Sequence, residues 1–162
     1  MKSIREEADL NGKKVLLRLD LNVPIDKVKI TDSTRIDKII PTLEFLVAQN
    51  ANIIIISHIG RPNGKIVDKL SLKPICEDLS KKLNQNIRLI SNNIKEINLK
   101  EFFKSNNEKI IMLENIRFYS EEEKNNKQFA KHLASFGDIY VNDAFSCSHR
   151  AHASIDEITN FL

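Results

Sequence analysis

Ile53-Ile54-Ile55-Ile56-Ser57-His58-Ile59-Gly60-Arg61-Pro62-Asn63-Gly64-Lys65 is the stretch whose reading decides the fold. Its β-branched run predicts a strand buried on both faces, the habit of parallel sheets covered by helices on each side. The run then breaks into a loop that carries His58, Arg61 and Lys65 among two glycines and a proline. A buried strand that discharges directly into a basic, kinked loop reads as the edge of an anion site.

Working outward, Lys14-Val15-Leu16-Leu17-Arg18-Leu19-Asp20 reads as the first strand, ending in the polar loop Asp20-Leu21-Asn22-Val23-Pro24 with a turn near Asp26-Lys27. Thr31-Asp32-Ser33-Thr34 offers N-cap residues for a helix with Ile36, Ile39, Ile40, Leu43, Leu46 and Val47 at helical spacing. Pro41 inside that helix predicts a kink, because proline removes one backbone hydrogen bond. Beyond the opening strand, Ser71 is the predicted cap of a second helix, with Pro74 in its first turn and Ile75, Leu79 and Leu83 on its inner stripe. Ile87-Arg88-Leu89-Ile90 reads as a third strand, followed by a weak helix ending near Phe103. Lys109-Ile110-Ile111-Met112-Leu113 is the fourth strand, leaving through Glu114-Asn115-Ile116-Arg117-Phe118-Tyr119. Glu121–Glu123 reads as a solvated loop; Phe129, Leu133 and Phe136 then mark a helix ended by Gly137 at C′. Asp138–Asp143 is the fifth strand, and a final helix is predicted from Ser154 to Leu162.

Alternating strands and helices at this spacing predict an α/β domain over residues 1–162. Its expected form is three-layer α/β/α, with a mainly parallel, doubly wound, Rossmann-like sheet. In such sheets ligands bind beyond the carboxyl ends of the strands. Those ends deliver Asp20 and Asn22, then His58 and Arg61, then Arg117, then His149 and Arg150. Arg35 opens the first helix, where the helix dipole disfavours a cation, so it needs another partner. Four arginines, one or two histidines and an Asp/Asn pair at one edge suit a small, strongly anionic ligand.

Composition narrows the alternatives. The net charge is only +3 and spread along the chain, with no Trp and no Arg/Lys-rich block, which argues against nucleic acid as a partner. No apolar run reaches membrane-spanning length, and Met1–Glu7 is polar rather than a signal h-region, so a cytoplasmic protein is expected. Cys76 and Cys147 stand far apart in no CxxC or zinc spacing, which predicts reduced thiols. His149 and His152 lack companions at metal-ligand spacing, and no metal site is expected. Cys147 two residues before His149 would suit a Cys–His nucleophile, but residues two apart in a loop need not touch. His58 also fits a loop histidine bonded to backbone, and His132 reads as structural. Asp20-Leu21-Asn22 carries one acid of an aspartyl-phosphate DxD motif, but Asn22 in second place argues against metal-dependent chemistry there. The chain has neither GxxxxGK[ST] nor GxGxxG, hence no recognisable nucleotide cradle.

Arg18-Leu19-Asp20-Leu21-Asn22-Val23-Pro24, Asp32–Ile36, Ser57–Pro62, Leu113–Tyr119, Gly137–Phe145 and His149–Ser154 together resemble the N-terminal domain of phosphoglycerate kinases, in order and across nearly the whole chain. The resemblance implies half of a two-domain glycolytic enzyme moving a phosphoryl group between 1,3-bisphosphoglycerate and ADP. The basic half would hold 3-phosphoglycerate; a separate C-terminal domain, absent from this chain, would bind the co-substrate Mg-ATP or Mg-ADP. Residue by residue, Asp20, Leu21 and Asn22 resemble the glycerate contacts, and His58, Ile59, Gly60, Arg61, Arg117 and Arg150 the clamp on phosphate and carboxylate. Arg35 resembles the catalytic arginine that also faces the transferring phosphoryl group. Ser146-Cys147-Ser148 stands where the family has Gly-Thr-Ala, a difference that matters if the backbone there needs φ > 0. Without a nucleotide domain the chain is expected to be inactive alone, and the alternative is an inactive remnant that only binds small phosphorylated anions.

Overall fold

A computed structural model describes residues 3–7, 9–27, 29–105 and 107–162, with the side chains of 100, 101 and 105 left out of the description. Met1 and Lys2 of the polar N-terminus lie outside the described residues. The strands are β1 (Lys14–Leu19), β2 (Ile25–Asp26), β3 (Lys29–Ile30), β4 (Asn52–Ile56), β5 (Ile87–Ile90), β6 (Ile110–Leu113) and β7 (Ile139–Asp143). The α-helices are α1 (Thr34–Ala48), α2 (Lys73–Leu83), α3 (Leu99–Ser105), α4 (Ser120–Glu123) and α5 (Lys127–Ala134).

Five strands form one sheet in the order β5-β6-β4-β1-β7, every pair parallel. β2 and β3 make a small antiparallel hairpin around Lys27, whose φ of 42° is left-handed. The isoleucine run sits at the centre as β4, and all five of its residues are buried. Its alternation divides the core in two. Ile53 and Ile55, with Val15, Leu17 and Leu19 of β1, face α1 and α2. Ile54 and Ile56, with Leu16, face α3, α5 and the C-terminal turns. Helices on both faces are what parallel strands require, since neither face can be left to water.

α1 runs through Pro41 as one helix rather than two elements, as expected, packed by Ile36, Ile39, Leu43 and Leu46. Three expectations change in detail. Leu72 rather than Ser71 occupies the N-cap of α2; the Glu114 carboxylate accepts from Leu72 N at 2.8 Å and from the Ser71 hydroxyl at 2.6 Å, so an acid just past β6 satisfies that helix start. Gly137 does not adopt the left-handed C′ conformation; α5 is capped at Ser135, and Gly137 is needed because a Cβ there would lie 2.9 Å from Leu16 Cβ. The predicted C-terminal helix is instead a run of turns with a 3-10 segment, Glu157–Asn160. There the Ser154 and Glu157 amides are bonded to Glu122 and Asn125, outside the segment, which leaves no regular i→i−4 ladder.

Ile54 is fully enclosed between β1, β6 and the helices, so Ile54→Ala is expected to lower stability by about 2–5 kcal/mol in urea unfolding. Ile66→Ala, at a residue 81% exposed, is expected to change it by less than about 0.5 kcal/mol.

Candidate functional site

All five parallel strands of the sheet end at one edge, and side-chain bonds stitch four of the loops beyond them together. Ser57, following β4, donates to Leu19 O at 2.8 Å and accepts from Leu21 N at 3.2 Å, tying that loop to the one after β1. Its carbonyl accepts from Ile116 N at 3.1 Å, bringing in the loop after β6. Asn22 Oδ1 accepts from Gly60 N at 3.0 Å. Buried Asn115 donates to Ile59 O and Leu70 O, both at 2.9 Å, and accepts from Arg117 N at 3.1 Å. Gly60 is glycine because its φ is +64°, a conformation side chains rarely adopt.

The enclosed space is a cavity of about 270 Å³ lined by Asp20, Asn22, Arg35, His58, Gly60, Arg61, Arg117, Ser146, Cys147 and Arg150. Every charged residue predicted for the site except His149 is therefore brought to one place. Leu21 and Ile59, also expected there, are buried supports, 0% and 5% exposed, rather than lining. Lys65 and His149 are exposed and do not line it. Larger hollows, of about 570 and 600 Å³, lie at the two outer edges of the sheet without such a convergence of arginines.

Arg35 finds the partner its helix position demanded. One of its terminal nitrogens donates to both oxygens of Asp20, at 2.9 and 2.7 Å. The Ser146 hydroxyl donates to the same carboxylate. Ser146 lies outside the left-handed region, so the loop after β7 does not depend on a glycine at that position. Arg117 is buried and donates from Nη1 to Gly60 O at 3.0 Å, yet its Nε has no partner. Arg150 Nε is also buried and unpartnered. His152 Nδ1 is in the same condition, and such groups cost free energy in the folded chain.

His58 is 2% exposed and bonded through Nδ1 to Arg18 Nη2 at 2.9 Å. Burial, with the charges of Arg18, Arg117 and Arg150, pulls its pKa from the ordinary 6.5 down to about 2. The imidazole is neutral at any physiological pH and acts as a hydrogen-bond group, not as a cation. The Cys147 thiol is free and buried, whereas His149 is exposed, so the pair does not form a Cys–His arrangement. His132, as expected, serves structure, its Nε2 meeting Ile94 O at 2.6 Å. Among the described residues no group of three or more His, Cys, Asp or Glu stands together as a metal site. A cavity walled by arginines is the opposite of a divalent-cation cradle.

Sequence reading missed several contributors. Arg18 is fully buried and inward-facing, in register with Leu16, so alternation along β1 could have marked it. Glu122 carried no such mark: the acidic run reads as solvated, but α4 turns Glu122 into the interior while Glu121 pairs with Lys95 outside. Ser154 is likewise buried, bonded to both Arg18 and Glu122.

A family model described as phosphoglycerate kinase matches residues 5–162. Proteins named phosphoglycerate kinase from Wolbachia pipientis of Culex pipiens (strain wPip) and Prochlorococcus marinus (strain MIT 9312) are 50% and 46% identical. In each, the match covers 97% of this chain and 39% of the relative. The structure of phosphoglycerate kinase from Coxiella burnetii superposes with a TM-score of 0.87 at 38% identity, over 98% of this chain and 39% of that one. The enzyme from Pyrococcus horikoshii gives 0.83 at 27% identity, over 97% and 40%. The chain thus spans about two fifths of the length of the curated relatives it matches.

Because His58 is neutral when folded, the unfolded chain binds one more proton than the folded chain between pH 6.5 and about 2. Stability is therefore expected to fall as pH falls below 6.5, by about 2 kcal/mol at pH 5 from this residue alone. His152, whose pKa burial also lowers, acts in the same direction. Urea unfolding of His58→Gln, which keeps an acceptor for Arg18, is expected to show a shallower pH slope; an unchanged slope would contradict the assignment.

Proposed function

This chain belongs to the phosphoglycerate kinase family, and we propose that its arginine-lined cavity is the 3-phosphoglycerate and 1,3-bisphosphoglycerate site of that enzyme. The observation that carries the reading is the convergence of Arg35, Arg61, Arg117 and Arg150 on one cavity beyond the strand ends, a set of guanidinium donors suited to anionic oxygens. The volume of about 270 Å³ falls below the roughly 300–1,000 Å³ of drug-sized sites and suits a three-carbon phosphoacid.

In this reading Arg61, Arg117 and Arg150 take the phosphate and carboxylate, with His58 adding a neutral donor. Asp20 and Asn22 hold the glycerate portion, and the loops carrying Leu21, Ile59 and Gly60 keep these groups in place. Arg35 faces the transferring phosphoryl group, where a guanidinium offsets charge on the equatorial oxygens. Its present bond to Asp20 stores that cation beside the cavity without leaving it unpaired. In the kinase direction a carboxylate oxygen of 3-phosphoglycerate forms the new bond to phosphorus as the bond to the ADP oxygen breaks. No proton transfer is required, which agrees with a site holding arginines and a neutral imidazole rather than a free base. Mg-ATP or Mg-ADP would be the co-substrate, held beyond residues 1–162 by the C-terminal part of such an enzyme, in a cytoplasmic, glycolytic setting. The chain supplies the N-terminal, acid-binding half.

Calorimetry at fixed salt tests the site. Arg35→Ala and Arg61→Ala are each expected to weaken 3-phosphoglycerate binding by about 10–100-fold, the worth of a charge-assisted hydrogen bond, while leaving the domain folded. Arg88→Ala, whose guanidinium pairs with Glu108 on the outer strand, is expected to leave affinity unchanged. Equal affinity in all three variants would refute the assignment. Supplying the remainder of a relative's polypeptide as a separate chain with Mg-ATP is expected to yield phosphorylation of 3-phosphoglycerate. No turnover at any concentration would leave only the anion-binding remnant.

A further inference from the structure

Beneath the cavity lies a chain of four hydrogen-bonded side chains, in which burial pushes the Glu122 carboxyl pKa up while Arg18 and the Ser154 hydroxyl and amide favour its ionised form. A guanidinium has donors only, so Arg18 Nη2 donates to His58 Nδ1 at 2.9 Å, and the proton of the neutral ring must sit on Nε2. Arg18 Nε donates to Ser154 Oγ at 3.0 Å. The Ser154 hydroxyl then spends its single proton on Glu122 Oε1 at 2.6 Å, and the Ser154 amide donates to Glu122 Oε2 at 2.9 Å. The remaining Arg18 nitrogen donates to Leu19 O. Arg18, Ser154 and Glu122 are fully buried, and Glu122 is the only buried carboxylate among the described residues.

We propose that Glu122, Ser154 and Arg18 are positioning residues that lock His58 into its Nε2–H tautomer, so that it meets the bound acid as a fixed neutral donor. The proposal rests on the anion-site reading above for the identity of the acid, but the tautomer itself does not depend on it. Glu122 anchors Ser154 at two points, Ser154 sets the plane of the Arg18 guanidinium, and Arg18 holds the lone pair of His58 Nδ1 away from the cavity. A histidine free to present that lone pair would repel a carboxylate or phosphate oxygen, whereas Nε2–H attracts one. Stability alone is a weak reason for such a network, since a buried ion pair often stabilises no better than apolar side chains of the same size. What the network supplies is orientation. The same arrangement explains why Glu122 alone of the acidic run Glu121–Glu123 is buried in α4.

The test measures His58 directly. Long-range proton–nitrogen correlation spectra of the intact chain without ligand are expected to show one pyridine-like Nδ1 and one pyrrole-like Nε2 at His58 across pH 6–8 (about the neutral range where the ring is uncharged). Ser154→Ala and Glu122→Gln are expected to average the two nitrogens, and to weaken 3-phosphoglycerate and inorganic phosphate about tenfold. Ser154→Thr, which restores a hydroxyl, is expected to recover the fixed tautomer. If Glu122→Gln does not fold, Ser154→Ala, which removes one hydroxyl and no charge, decides alone. Folded variants that keep the Nε2–H tautomer and full affinity while only their urea midpoint falls would overturn the proposal. Absence of 3-phosphoglycerate binding by the unsubstituted chain would instead count against the site reading, with the tautomer still deciding the relay.

Discussion

Five parallel strands buried on both faces leave the chain one place to put its chemistry, the edge where all of them end. Each crossover returns the next strand in the same direction, so the loops after β1, β4, β6 and β7 meet although they are far apart in sequence. Alternation along the central strands commits one set of side chains to α1 and α2 and the other to α3 and α5. A slip of one residue would turn Arg18 from its network into the opposite core. The site is therefore a consequence of strand register before it is a matter of any particular arginine.

Collecting cations at that edge has an electrostatic cost, which the structure meets in three ways. Arg35 is neutralised by Asp20 at the rim. Arg18, deepest of the set, shares a network with the buried Glu122 carboxylate. His58 gives up its charge altogether under the combined field and burial. Arg117 and Arg150 keep unpartnered N–H groups. The proposed site thus combines satisfied and unsatisfied donors. Larger hollows on the same surface carry no such set of arginines.

Much of this was legible in the sequence because it follows short-range rules. The isoleucine run, the spacing of Ile36, Ile39, Leu43 and Leu46, and the charged residues just after successive strands gave the layer order and most of the cavity. Features set by tertiary contact were not legible. Glu122 looks solvated beside Glu121 and Glu123, and only its burial against Ser154 distinguishes it. Gly137 looks like a helix stop, yet its purpose is close approach to Leu16. The spacing after Ser154 suggested a helix, but bonds to Glu122 and Asn125 take that segment's donors out of a regular ladder. In each case a partner distant in sequence decides the outcome, and no local pattern reports it.

The central claim is that an anionic oxygen belongs among the guanidinium groups of Arg117 and Arg150 that line the cavity. The most direct measurement is the arginine Nε–H spectrum of the chain, titrated with 3-phosphoglycerate. The account predicts that the Arg117 and Arg150 resonances shift downfield and become protected from solvent exchange, while those of Arg5 and Arg88 stay in place. Saturable binding that leaves Arg117 and Arg150 unmoved and shifts resonances elsewhere on the surface would contradict it.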